Sequence, residues 1–261
     1  MLKQLIAVVK EVGDLLLDWR RAGIREGVWH GSQFKAKVDV MAHNAFQKLL
    51  QDLWPRIPVI SEENPESLVV ERPDFYWLID PIDGTASFVN GFSGFVTQAA
   101  LMLNALPVIS VIYAPVTHEL YWAELGRGAY LNEKRMSVPA VRTTAILIDN
   151  YPEPRGVTLE AYKALHCQKY LECGSISLKI CKIADGTADI FFKPVHMSDW
   201  DLAAPQLVIE EAGGILRDIL GEHIRYQGDY SHPGIIAAAN EVTFARALSW
   251  YTTFMREGGV P

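Results

Sequence analysis

Apolar residues recur along this chain at two different periods. Over 2–19 they fall at Leu2, Leu5, Ile6, Val9, Val12 and Leu16, the spacing of a helix with one buried face. Residues 23–31 read as a loop, with glycine at each end. A second amphipathic helix follows, with Val40, Ala42, Phe46, Leu49, Leu50 and Leu53 as its buried positions and Asp39 at its head. It stops before Pro55, because the residue preceding a proline is driven out of the helical region. From there the period shortens. Runs at 96–103, 108–114, 120–123 and 129–131 are short and apolar or alternating, and they are separated by Asn104-Ala105, Pro115-Val116-Thr117 and Gly126-Arg127-Gly128. That rhythm predicts an antiparallel meander.

Residues 139–144 read as the passage into a second half, where strands and helices alternate. Strands are predicted at 145–149, 170–172, 188–192, 215–219 and 235–238. Helices are predicted at 158–165, at 175–184 entered through Gly174, at 202–212 ended by Gly213-Gly214, and from Asn240 to about Met255. Such alternation builds a layered α/β half.

The stretch around which the rest is organised is Trp77-Leu78-Ile79-Asp80-Pro81-Ile82-Asp83-Gly84-Thr85. An apolar run, the end of a buried strand, breaks at Pro81, which has no N–H for a sheet ladder. Gly84 then permits a sharp turn or a close approach to a ligand. Two carboxylates flank that turn. Like charges repel when buried together, and a hard divalent cation with oxygen ligands resolves the conflict. Taken alone, the segment reads equally as a solvated Asp-Pro, Asp-Gly turn. Its flanks change the balance: Pro58-Val59-Ile60-Ser61-Glu62-Glu63 ends another apolar run in paired acids, and Met197-Ser198-Asp199-Trp200-Asp201 puts an acid ahead of a helix. Three acidic clusters at the edges of apolar elements are what a multi-metal phosphate site needs.

Composition narrows the classes. A chain of 261 residues can bury a full core, and a hydrophobic fraction of 49% is that of an ordinary globular protein. The net charge of −7 argues against general binding to a nucleic-acid polymer. Cys167, Cys173 and Cys181 lack zinc-site spacing and read as reduced structural thiols. No apolar run is long enough to span a bilayer, and Lys3, Lys10, Glu11 and Asp14 make the N-terminus a helix rather than a signal peptide. The expected setting is cytoplasmic, without a membrane partner.

The three acidic motifs, with Gly174-Ser175 and Glu211-Ala212-Gly213-Gly214, resemble the inositol monophosphatase superfamily of Mg²⁺-dependent, lithium-sensitive phosphomonoesterases, over roughly 35–240. With the patterning, the expected fold is α+β, a layered α-β-α-β-α sandwich. An antiparallel sheet lies in an N-terminal half, 1–140, carrying Glu62, Asp80 and Asp83; a mixed sheet with helices lies in a C-terminal half, 141–261, contributing Asp201 and substrate contacts. The resemblance implies that Glu62, Asp80 and the carbonyl of Ile82 hold a first Mg²⁺, that Asp80, Asp83 and Asp201 hold a second, and that Glu62 reaches a third. Mn²⁺ would substitute and Li⁺ would inhibit. Asp39 with Thr85 would activate the attacking water, Glu62 assisting, and Gly84, Thr85 and Ala86 would bind phosphate. Residues 35–38 depart from the Val-Thr that usually precedes the Asp39 position. Glu63 reads as solvated, with a reach to the metal shell through water as its alternative, Trp200 as a packing residue that fixes the angle of Asp201, and Asp199 as a plain acid at a helix start.

The resemblance implies a small phosphorylated metabolite as substrate. Inositol monophosphatases place a carboxylate six residues before the Trp-Asp pair, where this chain has Pro194. Bacterial 3'(2'),5'-bisphosphate nucleotidases, which recycle 3'-phosphoadenosine 5'-phosphate, show a segment close to Gly174-Ser175-Ile176-Ser177-Leu178-Lys179. A distal phosphate needs cationic or N–H partners; Lys179, Lys193 and the Gly174-Ser175 turn would supply them, beside Asp83 and Asp201. The alternative for each lysine is a solvated side chain. That branch usually has a lysine after the Asp-Gly-Thr, where Ala86-Ser87 stand here. The nucleotidase is the first reading, with inositol monophosphatase or sugar bisphosphatase behind it, and an inactive phosphate- or Mg²⁺-binding protein as the non-enzyme alternative. Asp83→Asn is expected to abolish turnover with the fold intact, and Lys179→Ala to harm a bisphosphate substrate selectively. Monomer and homodimer stay open.

Overall fold

Both faces of the strand carrying Tyr76 to Ile79 are covered, which is why its sequence is continuously apolar rather than alternating. Tyr76 and Leu78 point into one core, Trp77 and Ile79 into another. The structure, a computed structural model, describes residues 1–24, 26–30, 33–68, 71–142 and 144–259.

In chain order the first half contains α1 (Leu2–Arg21), β1 (Gly27–His30), β2 (Gln33–Ala36), α2 (Lys37–Leu53), β3 (Val59–Ser61), β4 (Phe75–Asp83), α3 (Thr85–Asn90), β5 (Val96–Leu103), β6 (Leu106–Ala114), β7 (Glu119–Glu124), β8 (Gly128–Leu131) and β9 (Lys134–Arg135). Strands β3 to β9 form a seven-stranded sheet in sequence order. Only β3 against β4 is parallel; the rest is the expected antiparallel meander.

The second half contains β10 (Ile146–Asp149), α4 (Gly156–Ala164), β11 (Lys169–Glu172), α5 (Ile176–Ala184), β12 (Ile190–Lys193), β13 (Met197–Ser198), α6 (Asp199–Glu211), β14 (Ile215–Asp218), β15 (Ser231–His232), β16 (Ile235–Ala238) and α7 (Glu241–Arg256). A five-stranded mixed sheet has the order β11-β10-β12-β16-β14. Strands β13 and β15 form a small antiparallel pair.

Helices α1 and α2 cover the outer face of the large sheet through Leu5, Val9, Leu16, Ala42 and Phe46. Helices α5 and α6 lie between the two sheets and bring Ile180, Ile183, Leu207 and Val208 into the central core. Helices α4 and α7 close the far face of the small sheet with Ala161, Phe244 and Ala247. The result is the five-layer α-β-α-β-α sandwich.

Two local expectations need correction, and one element is added. Part of the loop expected over 23–31 is strand: Gly27–His30 forms β1, which pairs antiparallel with β2, from Gly27 opposite Ala36. Residues 25 and 31 of that stretch lie outside the described ones. In α2, Val40 is 48% and Leu53 41% exposed, while Val38, Asp39 and His43 are buried. The helix is rotated so that its polar Asp39 and His43, one turn apart, face inward. Finally, 85–90 forms the short helix α3, bounded by Gly84 at φ +94° and Gly91 at φ +88°. Among the described residues no helix is long and apolar enough to cross a membrane.

Candidate metal centre

Asp80 and Asp83 are three residues apart, so in a regular strand they would face opposite sides of the sheet. They do not, because the ladder to β5 slips between them: Asp80 pairs with Gln98, but Asp83 pairs with Val96. The extra residue is a β-bulge, which restores both carboxylates to one side. Ile82 turns to the opposite core. Pro81 fits the bulge because β3 has already ended at Ser61, opposite Ile79, so no neighbour on that side awaits an N–H.

Asp83 then meets the start of α5. Its Oδ2 accepts from the Ser175 hydroxyl at 2.6 Å and the Ser177 amide at 2.7 Å, and its Oδ1 accepts from the Ile176 amide at 3.2 Å. Ser175 is also the N-cap of α5, its oxygen accepting from the Leu178 amide at 2.9 Å. A carboxylate oxygen offers two lone pairs, so Oδ2 is fully used and Oδ1 keeps one for a cation. Asp201 sits in the first turn of α6, where its Oδ2 accepts from the Ser198 amide at 2.8 Å, the return half of a capping box. Asp80 Oδ1 accepts from the Ile82 amide at 3.0 Å.

One carboxylate oxygen from each of Asp80, Asp83 and Asp201 lies within 4.8 Å of the others. Asp80 and Asp83 are buried and Asp201 half-buried. Burial pushes the Asp80 carboxyl well above its ordinary range, and the charges of Asp83, Glu62, Asp201 and Asp39 push it further. Burial and then Asp83 raise Asp201 as well, against the pull of the Ser198 amide. The donor set is all oxygen and anionic, and its mutual repulsion is what a hard divalent cation relieves, so these residues fit Mg²⁺. Glu62 is half-buried just beyond β3 and stands outside the tight trio, though its charge reaches both Asp80 and Asp201.

Beside the trio, the Thr85 hydroxyl stands 3.0 Å from Asp39 Oδ1 and 3.2 Å from the Ile82 carbonyl oxygen. Asp39 and Thr85 were expected together and are together. Gly84 has the left-handed backbone that a side chain resists, and a Cβ there would meet the Gly94 carbonyl at 2.9 Å. Ala86 is exposed in the first turn of α3, where amide N–H groups have no acceptor within the helix. Gly174 sits against the same region: a Cβ on it would meet Ser87 Oγ at 2.1 Å and the Gly94 oxygen at 2.6 Å.

Other expected roles change. Lys179 is 0% exposed rather than solvated or facing substrate. Its ammonium donates to Asn150 Oδ1 and to the Gly174 carbonyl at 3.2 Å, above the Phe191 ring. It therefore acts on the site only through the residues it holds. Lys193 ends β12, half-buried, where its charge is felt by Lys179. Glu63, expected first in solvent, is half-buried; burial lowers the nearby His43 imidazole, opposed by its hydrogen bond with Gln47 and then by the charge of Glu63. Asp199 is no plain helix acid: it is fully buried, pairing with Arg72 and, at 2.6 Å, with His232 Nε2. Trp200 packs on the central core as expected and, through its carbonyl, accepts from Gln98 Nε2 at 2.8 Å. Sequence reading passed over Ser177, Gln98, Arg72 and His232. Ser198 was recoverable, because Ser-x-x-Asp ahead of a helix is the capping signature.

Comparison with known proteins agrees with this geometry. The model of the inositol monophosphatase family matches residues 1–252. The Nus factor SuhB of Vibrio cholerae is 30% identical over 238 residues, covering 87% of this chain and 84% of that one. The 3'(2'),5'-bisphosphate nucleotidase CysQ of Aggregatibacter actinomycetemcomitans is 28% identical over 235 residues, 87% of each chain. Among solved structures, the Thermotoga maritima IMPase superposes with a TM-score of 0.82 at 24% identity, over 97% of both chains. The extragenic suppressor protein suhB of Bartonella henselae gives 0.80 at 25% identity, over 94% of this chain and 97% of its own. The family model's match over nearly the whole length, with an acidic trio drawn from the bulged strand β4 and from α6, places this chain in the inositol monophosphatase family, a family of Mg²⁺-dependent phosphatases.

Proposed function

We propose that this chain hydrolyses a small phosphomonoester by direct attack of water at phosphorus, with Asp80, Asp83 and Asp201 as the cation-holding carboxylates, the Ile82 carbonyl and Glu62 completing the set. The observation that carries the reading is the approach of three carboxylate oxygens to within 4.8 Å beside the Asp39–Thr85 pair. Bound there, Mg²⁺ neutralises phosphoryl charge, acidifies water and assists the leaving oxygen. The same reading takes two or three ions, with Mn²⁺ substituting and Li⁺ inhibiting.

The residues of the chain do the rest. The Thr85 hydroxyl donates to Asp39, so its own lone pairs face the water it orients. A proton leaving that water passes through the hydroxyl to Asp39, which burial keeps close. Gly84, Thr85 and Ala86 bring backbone N–H groups to the phosphoryl oxygens. Water is delivered in line, so no covalent phosphoenzyme forms.

As substrate, a 3'(2'),5'-bisphosphate nucleotide is the first candidate, supported by the Gly174 to Lys179 segment and by the CysQ relative. A second reading, an inositol or sugar phosphate, is favoured by the burial of Lys179, which leaves Lys193 as the one of the two lysines able to meet a distal phosphate. Phosphate release from 3'-phosphoadenosine 5'-phosphate, inositol 1-phosphate and fructose 1,6-bisphosphate in Mg²⁺ decides between them by the ratio of kcat/KM. No release from any monoester at saturating Mg²⁺, with phosphate still bound, would make the chain an inactive binding protein instead.

A further inference from the structure

Helix α6 contains a proline at its seventh position, Pro205. Proline has no N–H, so the carbonyl four residues earlier loses its intrahelical donor. That carbonyl belongs to Asp201, one of the trio. The missing bond is supplied from another helix: the Ser177 hydroxyl of α5 donates to the Asp201 carbonyl oxygen at 3.1 Å. The amide of the same Ser177 donates to Asp83 Oδ2 at 2.7 Å. Ser177 is fully buried, so water does not compete for either bond.

One residue thus grips two carboxylate-bearing residues that come from different layers, β4 and α6. The neighbouring carbonyl in α6, that of Trp200, is also tied from outside, by Gln98 of β5. The first turn of α6 is held by its surroundings at the point where its own ladder is interrupted.

We infer that Ser177 is a positioning residue, setting the separation of Asp83 and Asp201, and that Pro205 creates the need for it by deleting the internal donor to Asp201. This rests on the functional reading above. It makes a reciprocal demand: restoring an amide at position 205 should remove the dependence on the Ser177 hydroxyl.

The test uses four full-length proteins: wild type, Ser177→Ala, Pro205→Ala and the double variant. Mn²⁺ binding is measured directly by the paramagnetic signal of the free ion, with kcat and KM on the best monoester alongside. Ser177→Ala is expected to weaken Mn²⁺ binding by about ten-fold, the range for a lost outer partner of a metal ligand, with kcat falling and KM for the ester little changed. Pro205→Ala alone should stay within about two-fold of wild type, and adding it to Ser177→Ala should recover most of the lost affinity, since the new amide returns the ladder bond. Ser177→Cys, which keeps the volume and a weak donor, should fall between and guards against a folding failure of the alanine variant. Wild-type affinity in Ser177→Ala, or a double variant as weak as Ser177→Ala, overturns the inference alone. Absence of Mn²⁺ binding by wild type overturns the functional reading, and this inference with it.

Discussion

The hydroxyl of Ser175 lies 2.6 Å from Oδ2 of Asp83, so the residue that caps α5 also holds a carboxylate of β4. Asp83 therefore has a structural part beside the cation-holding one proposed for it. The expectation that Asp83→Asn would leave the fold untouched has to be revised. An asparagine amide would turn an NH₂ toward donors that now find acceptors, at Ser175, Ile176 or Ser177. Hydrogen bonds to a charged acceptor are worth about 1.5–3 kcal/mol. Asp83→Asn should lose turnover and also lower stability by roughly that amount, read by denaturant unfolding beside a phosphate-release assay. An unchanged midpoint would show that the α5 contacts do not bear on stability.

Thr85 and Asp39 should behave as one unit. Thr85→Val keeps the shape and removes the hydroxyl between Asp39 and the Ile82 carbonyl. Loss of a positioned proton-transfer group lowers kcat by about 10²–10⁴-fold. Asp39→Asn should cost a similar factor, and the double variant little more than either single one, because neither partner works without the other. Additive losses in kcat would separate the two residues.

These couplings show which parts of the site could be read in the chain. Asp80, Asp83 and Asp201 each sit beside a local signal, a Pro-Gly break or a helix start, and such signals act over a few residues. The bulge that turns Asp80 and Asp83 to one side was not legible, since it exists only against β5. Ser177 and Gln98 were missed for the same reason: their partners, Asp201 and Trp200, lie 24 and 102 positions away. Lys179 carries no mark of burial, because its partner Asn150 comes from the end of another strand. In α2 the expected apolar face holds at Ala42, Phe46 and Leu50, but the fold also turns Asp39 and His43 inward and leaves Val40 and Leu53 largely exposed. The change in hydrophobic period gave the meander and the layered α/β half, and the family resemblance supplied the five-layer order; the polar contacts between layers came from neither.

Lys179 gives a pH signature. Burial is the main cause that lowers its ammonium, to about 8. In the unfolded chain a lysine titrates near ~10.4. Between those values the unfolded state carries the extra proton, so stability must rise with pH, by at most about 1.4 kcal/mol per unit. Below about 8 both states are charged and the contribution is flat. The stability difference between wild type and Lys179→Met should therefore grow between about pH 8 and pH 10. A difference constant with pH would mean the ammonium is hydrated in the folded protein. Lys179→Ala should also lower turnover of bisphosphate and monophosphate esters alike, in place of the selective loss expected from sequence, because the side chain reaches the site only through Asn150 and Gly174.

Arg72 offers a test away from the chemistry. It and Asp199 are both nearly inaccessible, with His232 on the other carboxylate oxygen and Tyr230 beneath the guanidinium. Removing one member of a buried pair strands the other and costs about 3–5 kcal/mol. Arg72→Met should lower the unfolding free energy by that order, read from denaturant unfolding, and Arg72→Lys by less. A loss under about 1 kcal/mol, the scale of an exposed pair, would show that water reaches Asp199.

Cation binding at the trio should be linked to proton release. Without a cation, Asp80 and Asp201 hold their protons to higher pH than ordinary carboxyls, through burial first and then through their acidic neighbours. A cation competes for the same oxygens, and ligands must be deprotonated to bind it. Titrating Mg²⁺ into the metal-free protein near neutral pH should release protons, seen calorimetrically as a heat that changes with the ionisation enthalpy of the buffer. Apparent affinity should fall as pH falls, since acid favours the protonated trio. The stabilisation that Mg²⁺ confers should shrink in parallel, because it scales with the ratio of free ion to dissociation constant. The sign distinguishes this centre from an ordinary acidic patch: exposed carboxylates are already ionised near neutrality, so their Mg²⁺ binding would release no protons and stay level down to about pH 5. A buffer-independent heat near neutral pH would show that the three carboxylates do not share a confined charge, and the metal centre would have to be sought elsewhere.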